Sequence, residues 1–100
     1  ECDKRLVGLG KENLTRYNLE KNLKFLKSSV EKFLVRVQKE KLSCDLVIAD
    51  PPRSGLGTLA NNFNFAKKLI LISCHQPSFI RDAKNLIEQE IFCVRILLYN

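Results

Sequence analysis

Two short apolar runs, each ending in polar or rigid residues, most constrain what this chain can fold into. Asp45-Leu46-Val47-Ile48-Ala49 is stopped by Asp50-Pro51-Pro52, and Leu69-Ile70-Leu71-Ile72-Ser73 gives way to Cys74-His75-Gln76-Pro77. Runs this short and this rich in Val and Ile, bounded by turn residues, predict strands rather than helices. Strands with almost no polar alternation belong to a parallel sheet buried on both faces, so both runs are expected to be fully buried.

The segments around them carry the helical period. Asp3 or Cys2 can cap a helix from about Lys4 to Tyr17, with Leu6, Gly10, Asn13, Leu14 and Tyr17 on one face. Asn22 to Leu26 is a short strand candidate. Ser28 followed by Glu31 reads as a capping box, opening a helix with an apolar stripe of Val30, Phe33, Leu34 and Val37. Ser54 to Gly57 reads as loop, and Thr58 to Ala66 is ambiguous between loop and a short helix weakened by three Asn. Ser78 can cap a further helix with Phe79, Ala83, Leu86 and Ile87 inward, and Ile91 to Leu98 is a last strand. Strands alternating with amphipathic helices, without repeat or linker, predict one α/β unit: a truncated Rossmann-like, mostly parallel sheet with helices on both faces. Glu1 would then end a preceding strand.

Composition narrows the class. The chain has 100 residues, 45% apolar and 28% charged, with four Gly and three Pro, which excludes collagen-like and low-complexity chains. No apolar run approaches the ~18 residues of a membrane span, and no signal peptide opens the chain, so a soluble, cytoplasmic protein without membrane contact is expected. The net charge is +6, with 11 basic and 8 acidic residues up to Asp50 and 6 and 3 after it. That dispersed excess suits a polyanion as well as an ordinary surface. Cys2, Cys44, Cys74 and Cys93 are far apart with no C-x-x-C pair, so neither a metal site nor disulfides are expected. Cys44, Cys74 and Cys93 border apolar runs and read as reduced thiols in a core.

In open α/β sheets, ligands sit beyond the carboxyl ends of the strands. Glu1, the loop from Asp50 to Gly57, and Cys74 to Pro77 all fall there. Asp50 projects from a strand end stiffened by Pro51 and Pro52, which also remove two donors. Arg53 offers a planar fork to a phosphate or carboxylate, and Gly55 and Gly57 allow close approach or positive φ. Cys74 places a soft nucleophile at the end of the second run, near the start of a helix, and His75 is the sole His beside it. Cys2, Cys44 and Cys93 read as buried structural cysteines.

The run from Cys44 to Gly55, followed by Leu69-Ile70-Leu71-Ile72-Ser73-Cys74, resembles the RNA (uracil-5-)-methyltransferases, class I enzymes that use S-adenosylmethionine. Their pattern is Asp-Pro-Pro-Arg-x-Gly, then an apolar strand ending Tyr-x-Ser-Cys-Asn, with a Thr or Ser three residues past the Asn. Ser78 keeps that hydroxyl, and Arg81-Asp82 matches the Arg-Asp that commonly follows. Glu1 to Asn18 is similar to the family's ribose-binding Glu and the helix after it.

The resemblance implies that Cys74 adds to carbon-6 of a uracil, that Glu1 holds the cofactor ribose, and that Asp50 binds the cofactor or orders the reacting centre. Ser29 stands where the family has Asn or Asp near the adenine. Pro51, Pro52, Arg53, Gly55 and His75 would shape the loop or meet the substrate, a tRNA or ribosomal RNA. The family's glycine-rich loop would precede Glu1 and its general-base Glu would follow Asn100. The chain is therefore expected to be part of a catalytic domain, inactive alone and able to self-associate through an exposed sheet edge.

The departures are Leu71 for Tyr, His75 for Asn, Gly10 for Ala and a short segment between Gly55 and Leu69. Arg53 stands where amino-group methyltransferases carry an aromatic ring, which argues against them. The alternatives are an RNA cytosine-5 methyltransferase, which usually has a second Cys in the first loop, and a non-catalytic nucleic-acid-binding module that keeps the scaffold.

Overall fold

The structure, a computed structural model, describes residues 1–89 and, as backbone, residues 92–98. It divides into two compact units, Glu1–Val35 and Arg36–Asn100.

In the first unit, helix α1 spans Lys4–Arg16 and is capped by Asp3, whose Oδ1 accepts from the N–H groups of Arg5 (2.8 Å) and Leu6 (3.3 Å). A carboxylate suits this position because it satisfies two otherwise orphaned donors and meets the positive end of the helix dipole. The buried stripe is Val7, Gly10 and Leu14, while Leu6 and Tyr17 are exposed, so the inward face is rotated from the one expected. Gly10 is the point of closest approach. A Cβ there would stand 2.5–2.8 Å from three ring carbons of Phe25, so the ring packs against bare helix backbone.

No strand forms at Asn22 to Leu26. The chain turns there instead, with the N–H groups of Asn22 and Leu23 both donating to the Leu19 carbonyl. Extended pairing begins just beyond. The Glu1 amino group donates to Leu26 O (3.4 Å) and the Ser28 N–H donates to Glu1 O (2.9 Å), the pattern of one rung of a parallel ladder. Glu1 therefore sits in strand-like pairing with residues 26–28.

Helix α2, Val30–Lys39, starts from Ser29 rather than from a Ser28–Glu31 box. Ser29 Oγ accepts from the Lys32 N–H (3.2 Å), whereas Ser28 Oγ donates to the Ser29 carbonyl. A cap must reach the N–H three residues on, and only Ser29 does so.

In the second unit, strands β1 (Cys44–Ala49), β2 (Ala66–Ser73) and β3 (Phe92–Leu98) form a parallel sheet in the order β1-β2-β3. A 3₁₀ turn at Gly57–Asn62 resolves the ambiguous segment before β2. Helix α3, Gln76–Glu88, joins β2 to β3 and packs on both and on the 3₁₀ turn. The core lies on β2 and α3, where Leu69, Leu71 and Leu86 are wholly buried.

Three expectations are corrected here. β1 is not fully buried: Leu46 and Ile48 are 48% and 64% exposed, because β1 is the edge of the sheet among the described residues and only its Val47–Ala49 face is partly covered. On α3, Ile87 is exposed and Asp82 is buried, so the inward stripe is Phe79, Asp82, Ala83 and Leu86. The helix is capped by His75, not by Ser78, because Pro77 already has helical geometry in the first turn and moves the start forward. Ile91, the expected start of the last strand, lies outside the described residues.

Candidate functional site

The first unit builds a pocket from its ladder rung and the start of α2. About 360 Å³ in volume, it is lined by Glu1, Phe25, Ser29 and Phe33 among others, so Glu1 and Ser29 do come together. Glu1 Oε1 accepts from the backbone N–H groups of Cys2 (2.8 Å) and Asp3 (2.9 Å), which fixes the carboxylate at the pocket mouth. These bonds, Asp3 first and then Cys2, hold the Glu1 carboxyl below its ordinary value. Sequence reasoning assigned no pocket role to Phe25 and Phe33, which stand four residues before and after Ser29. That symmetric spacing was the available signal, but aromatic positions in apolar segments read first as core.

In the second unit, Asp50 leaves β1 and Cys74 leaves β2 on the same carboxyl edge of the sheet, since the strands are parallel neighbours in the register Ala49↔Leu71. Asp50, Arg53 and Cys74 are all exposed. The loop between Asp50 and the 3₁₀ turn closes on itself, with the Gly55 N–H donating to Pro52 O (2.8 Å). Gly55 and Gly57 have φ of +78° and +59°, the left-handed conformation that glycine adopts at least cost.

Cys74 is followed by a bonded corner. Ser73 Oγ lies 3.2 Å from the His75 carbonyl and 3.3 Å from the His75 N–H, joining strand end to helix start. His75 Nδ1 accepts from the Ser78 N–H (3.5 Å) as cap, so this imidazole holds the helix start. Ser78 Oγ in turn donates to Arg53 O (2.9 Å), tying the corner to the Asp50 loop. The result is an exposed thiol beside the N-terminus of a helix, where a developing negative charge is favoured, on the same sheet edge as a stiff loop that presents a carboxylate and a guanidinium.

The described cysteines, Cys74 included, differ from their expected core burial, Cys74 because β2 ends at the residue before it. Cys2 is exposed, because it lies in the turn before α1, and Cys44 is half-buried at the start of the edge strand. Burial, and then the charge of Asp45, pushes the Cys44 thiol above its ordinary value. Cys93 has no described side chain. Among the described residues, no helix is long and apolar enough to cross a membrane.

Comparison with known proteins bears on this geometry. An uncharacterized RNA methyltransferase of Fusobacterium nucleatum is 34% identical over 82 residues, 78% of this chain and 18% of the relative. One from Caldanaerobacter subterraneus is 35% identical over 92 residues, 89% of this chain and 20% of the relative. The chain is a relative of RNA methyltransferases. A 23S rRNA (uracil(1939)-C(5))-methyltransferase, RlmD, of Xanthomonas campestris is 29% identical over 94 residues, 92% of this chain and 21% of the relative. The chain thus spans about a fifth of the length of these RNA methyltransferases. No protein-family model and no solved structure matches it.

Proposed function

We propose that this chain is the part of an RNA (uracil-5-)-methyltransferase that carries the nucleophile and half of the cofactor pocket. The reading takes the sheet as a portion of a Rossmann-like class I methyltransferase fold. The observation that carries it is the pairing of an exposed Cys74 with the Asp50-Pro51-Pro52-Arg53 loop on adjacent parallel strand ends. A relative named for uracil-C5 methylation supports the choice of base.

The chemistry follows from the weakness of uracil carbon-5 as a nucleophile. The Cys74 thiolate adds to carbon-6, forming an S–C6 bond and moving the C5=C6 electron pair onto carbon-5 and the carbon-4 carbonyl oxygen. S-adenosylmethionine supplies the electrophilic methyl group that this carbon then takes. A base removes the carbon-5 proton, the C5=C6 bond re-forms, and the S–C6 pair returns to Cys74. In this reading Arg53 meets an RNA phosphate or a carbonyl oxygen as it gains charge, and Asp50 binds the cofactor or orders the reacting base. The net charge of +6 suits the RNA, a tRNA or a ribosomal RNA.

The Glu1–Phe25–Ser29–Phe33 pocket suits the adenosine of the cofactor. Its volume is within the range for small ligands, two aromatic rings line it, and a carboxylate stands at its mouth to accept from a ribose diol. The Glu1 carboxyl must be ionised to accept both ribose protons. Its value lies below the ordinary 4.5, so the carboxyl is still more than half ionised at that pH. Affinity for S-adenosylhomocysteine, followed by calorimetry, is therefore expected to fall toward acid with a midpoint below pH 4.5. In Glu1→Gln the affinity is lower throughout and that acid fall is gone. A decline centred near pH 6 would contradict the assignment.

The experiment for the function is methyl transfer by the full-length protein to unmodified tRNA and ribosomal RNA, with nucleosides analysed after digestion. The expected product is 5-methyluridine. A 5-methylcytidine product would favour the cytosine-5 enzymes, and RNA binding without any methylated base would favour the non-catalytic module.

A further inference from the structure

We propose that Arg81 and Asp82 are positioning residues that set the Arg53–Gly57 loop against Cys74; this role rests on the methyl-transfer reading above. Asp82 is 1% exposed, and a buried carboxylate is costly unless all its lone pairs are engaged. Here the loop and Arg81 together engage both oxygens. The oxygens accept from the backbone N–H groups of Leu56 (2.6 Å) and Gly57 (3.2 Å), and from Nε (3.1 Å) and Nη2 (3.0 Å) of Arg81. Arg81 Nη2 also donates to the Ser54 carbonyl (2.7 Å).

Ser78, Arg81 and Asp82 follow an i, i+3, i+4 spacing and so share one face of α3. Between them they hold Arg53 O, Ser54 O, Leu56 N and Gly57 N, four backbone groups within five residues. At Gly55 a Cβ would collide with the Asp82 carboxylate and stand 2.8 Å from Arg81 Nη2, so the loop lies directly on the pair.

The helix that carries this grip begins two residues after Cys74. One element therefore follows the nucleophile directly and holds the loop that leaves the neighbouring strand end. The backbone just after the Arg53 side chain is held while that side chain itself stays exposed. Misplacing a reacting group by about 1 Å can cost about 100-fold in rate.

The test uses the full-length protein and RNA containing 5-fluorouridine, which traps the Cys74 adduct. Arg81 is half-exposed, so Arg81→Ala is expected to fold, with a melting curve to verify it. The expected result is a 10- to 100-fold slower adduct formation, with RNA and S-adenosylhomocysteine affinities within about threefold of wild type. Arg81→Gln, which keeps a donor for Ser54 O without the ion pair, should recover part of the rate. If Arg81→Ala does not fold, Arg81→Gln alone carries the test and must slow adduct formation at unchanged affinity. Folded variants with wild-type adduct rates would overturn the positioning role and leave the methyl-transfer reading standing. A wild-type protein that forms no adduct would remove that reading and this role with it.

Discussion

Cys74→Ala in the full-length protein is expected to lower methyl transfer to RNA by at least about 1,000-fold while leaving cofactor affinity unchanged. The loss is large because carbon-5 of uracil becomes nucleophilic only after a thiolate has added to carbon-6. No neighbour can replace that addition: His75 Nδ1 is engaged as the cap of α3, and the hydroxyls of Ser73 and Ser78 are held in the same corner. Cys44→Ala is the matched control. Its thiol is half-buried and held protonated by burial and by Asp45, so its removal should leave the rate within about twofold. Single-turnover assays with labelled methyl donor measure both. A Cys74→Ala protein with more than a tenth of wild-type activity would end the covalent mechanism.

The second large effect is on stability. Leu71→Ala is expected to cost about 2–5 kcal/mol in urea unfolding, because Leu71 is wholly buried on the central strand β2 and its loss leaves a cavity. Leu71 matters beyond the number, since it is one of the departures from the pattern that the sequence resembles. Its burial makes it a packing residue with no access to the rim. Leu71→Tyr should accordingly cost about 1–3 kcal/mol by overpacking and bring no gain in activity. A cost below about 1 kcal/mol for Leu71→Ala would mean that β2 is less enclosed than the structure shows.

The strand ends and the loops beyond them were legible because apolar runs cut by Asp-Pro-Pro or by Ser-Cys-His leave the chain few alternatives. The positive φ of Gly55 and Gly57 followed from the same loop. What could not be read was which of two adjacent groups does a job. Ser28 and Ser29 have the same chemistry, and only the helix register decides which hydroxyl meets the Lys32 N–H. His75 displaced Ser78 as cap because an imidazole nitrogen can accept as a hydroxyl does, although His is seldom expected there. The exposure of Leu46 and Ile48 was hidden because an apolar run predicts a strand without saying which of its faces is covered.

The grip of Asp82 was the least legible feature. Asp is usually exposed, and nothing in the local pattern says that its partners are backbone groups 25 and 26 residues away. Phe25 and Phe33 were missed for the opposite reason, since aromatic residues in apolar segments are expected to pack rather than to line a pocket.

The measurement closest to the central claim is mass-spectrometric mapping of the covalent complex between the full-length protein and 5-fluorouridine RNA formed with S-adenosylmethionine. Fluorine at carbon-5 cannot leave as a proton does, so the adduct persists. The account predicts a nucleotide attached to the peptide containing Cys74, absent in Cys74→Ala and retained in Cys93→Ala. A nucleotide attached to Cys2, Cys44 or Cys93, or an adduct that survives Cys74→Ala, would contradict it.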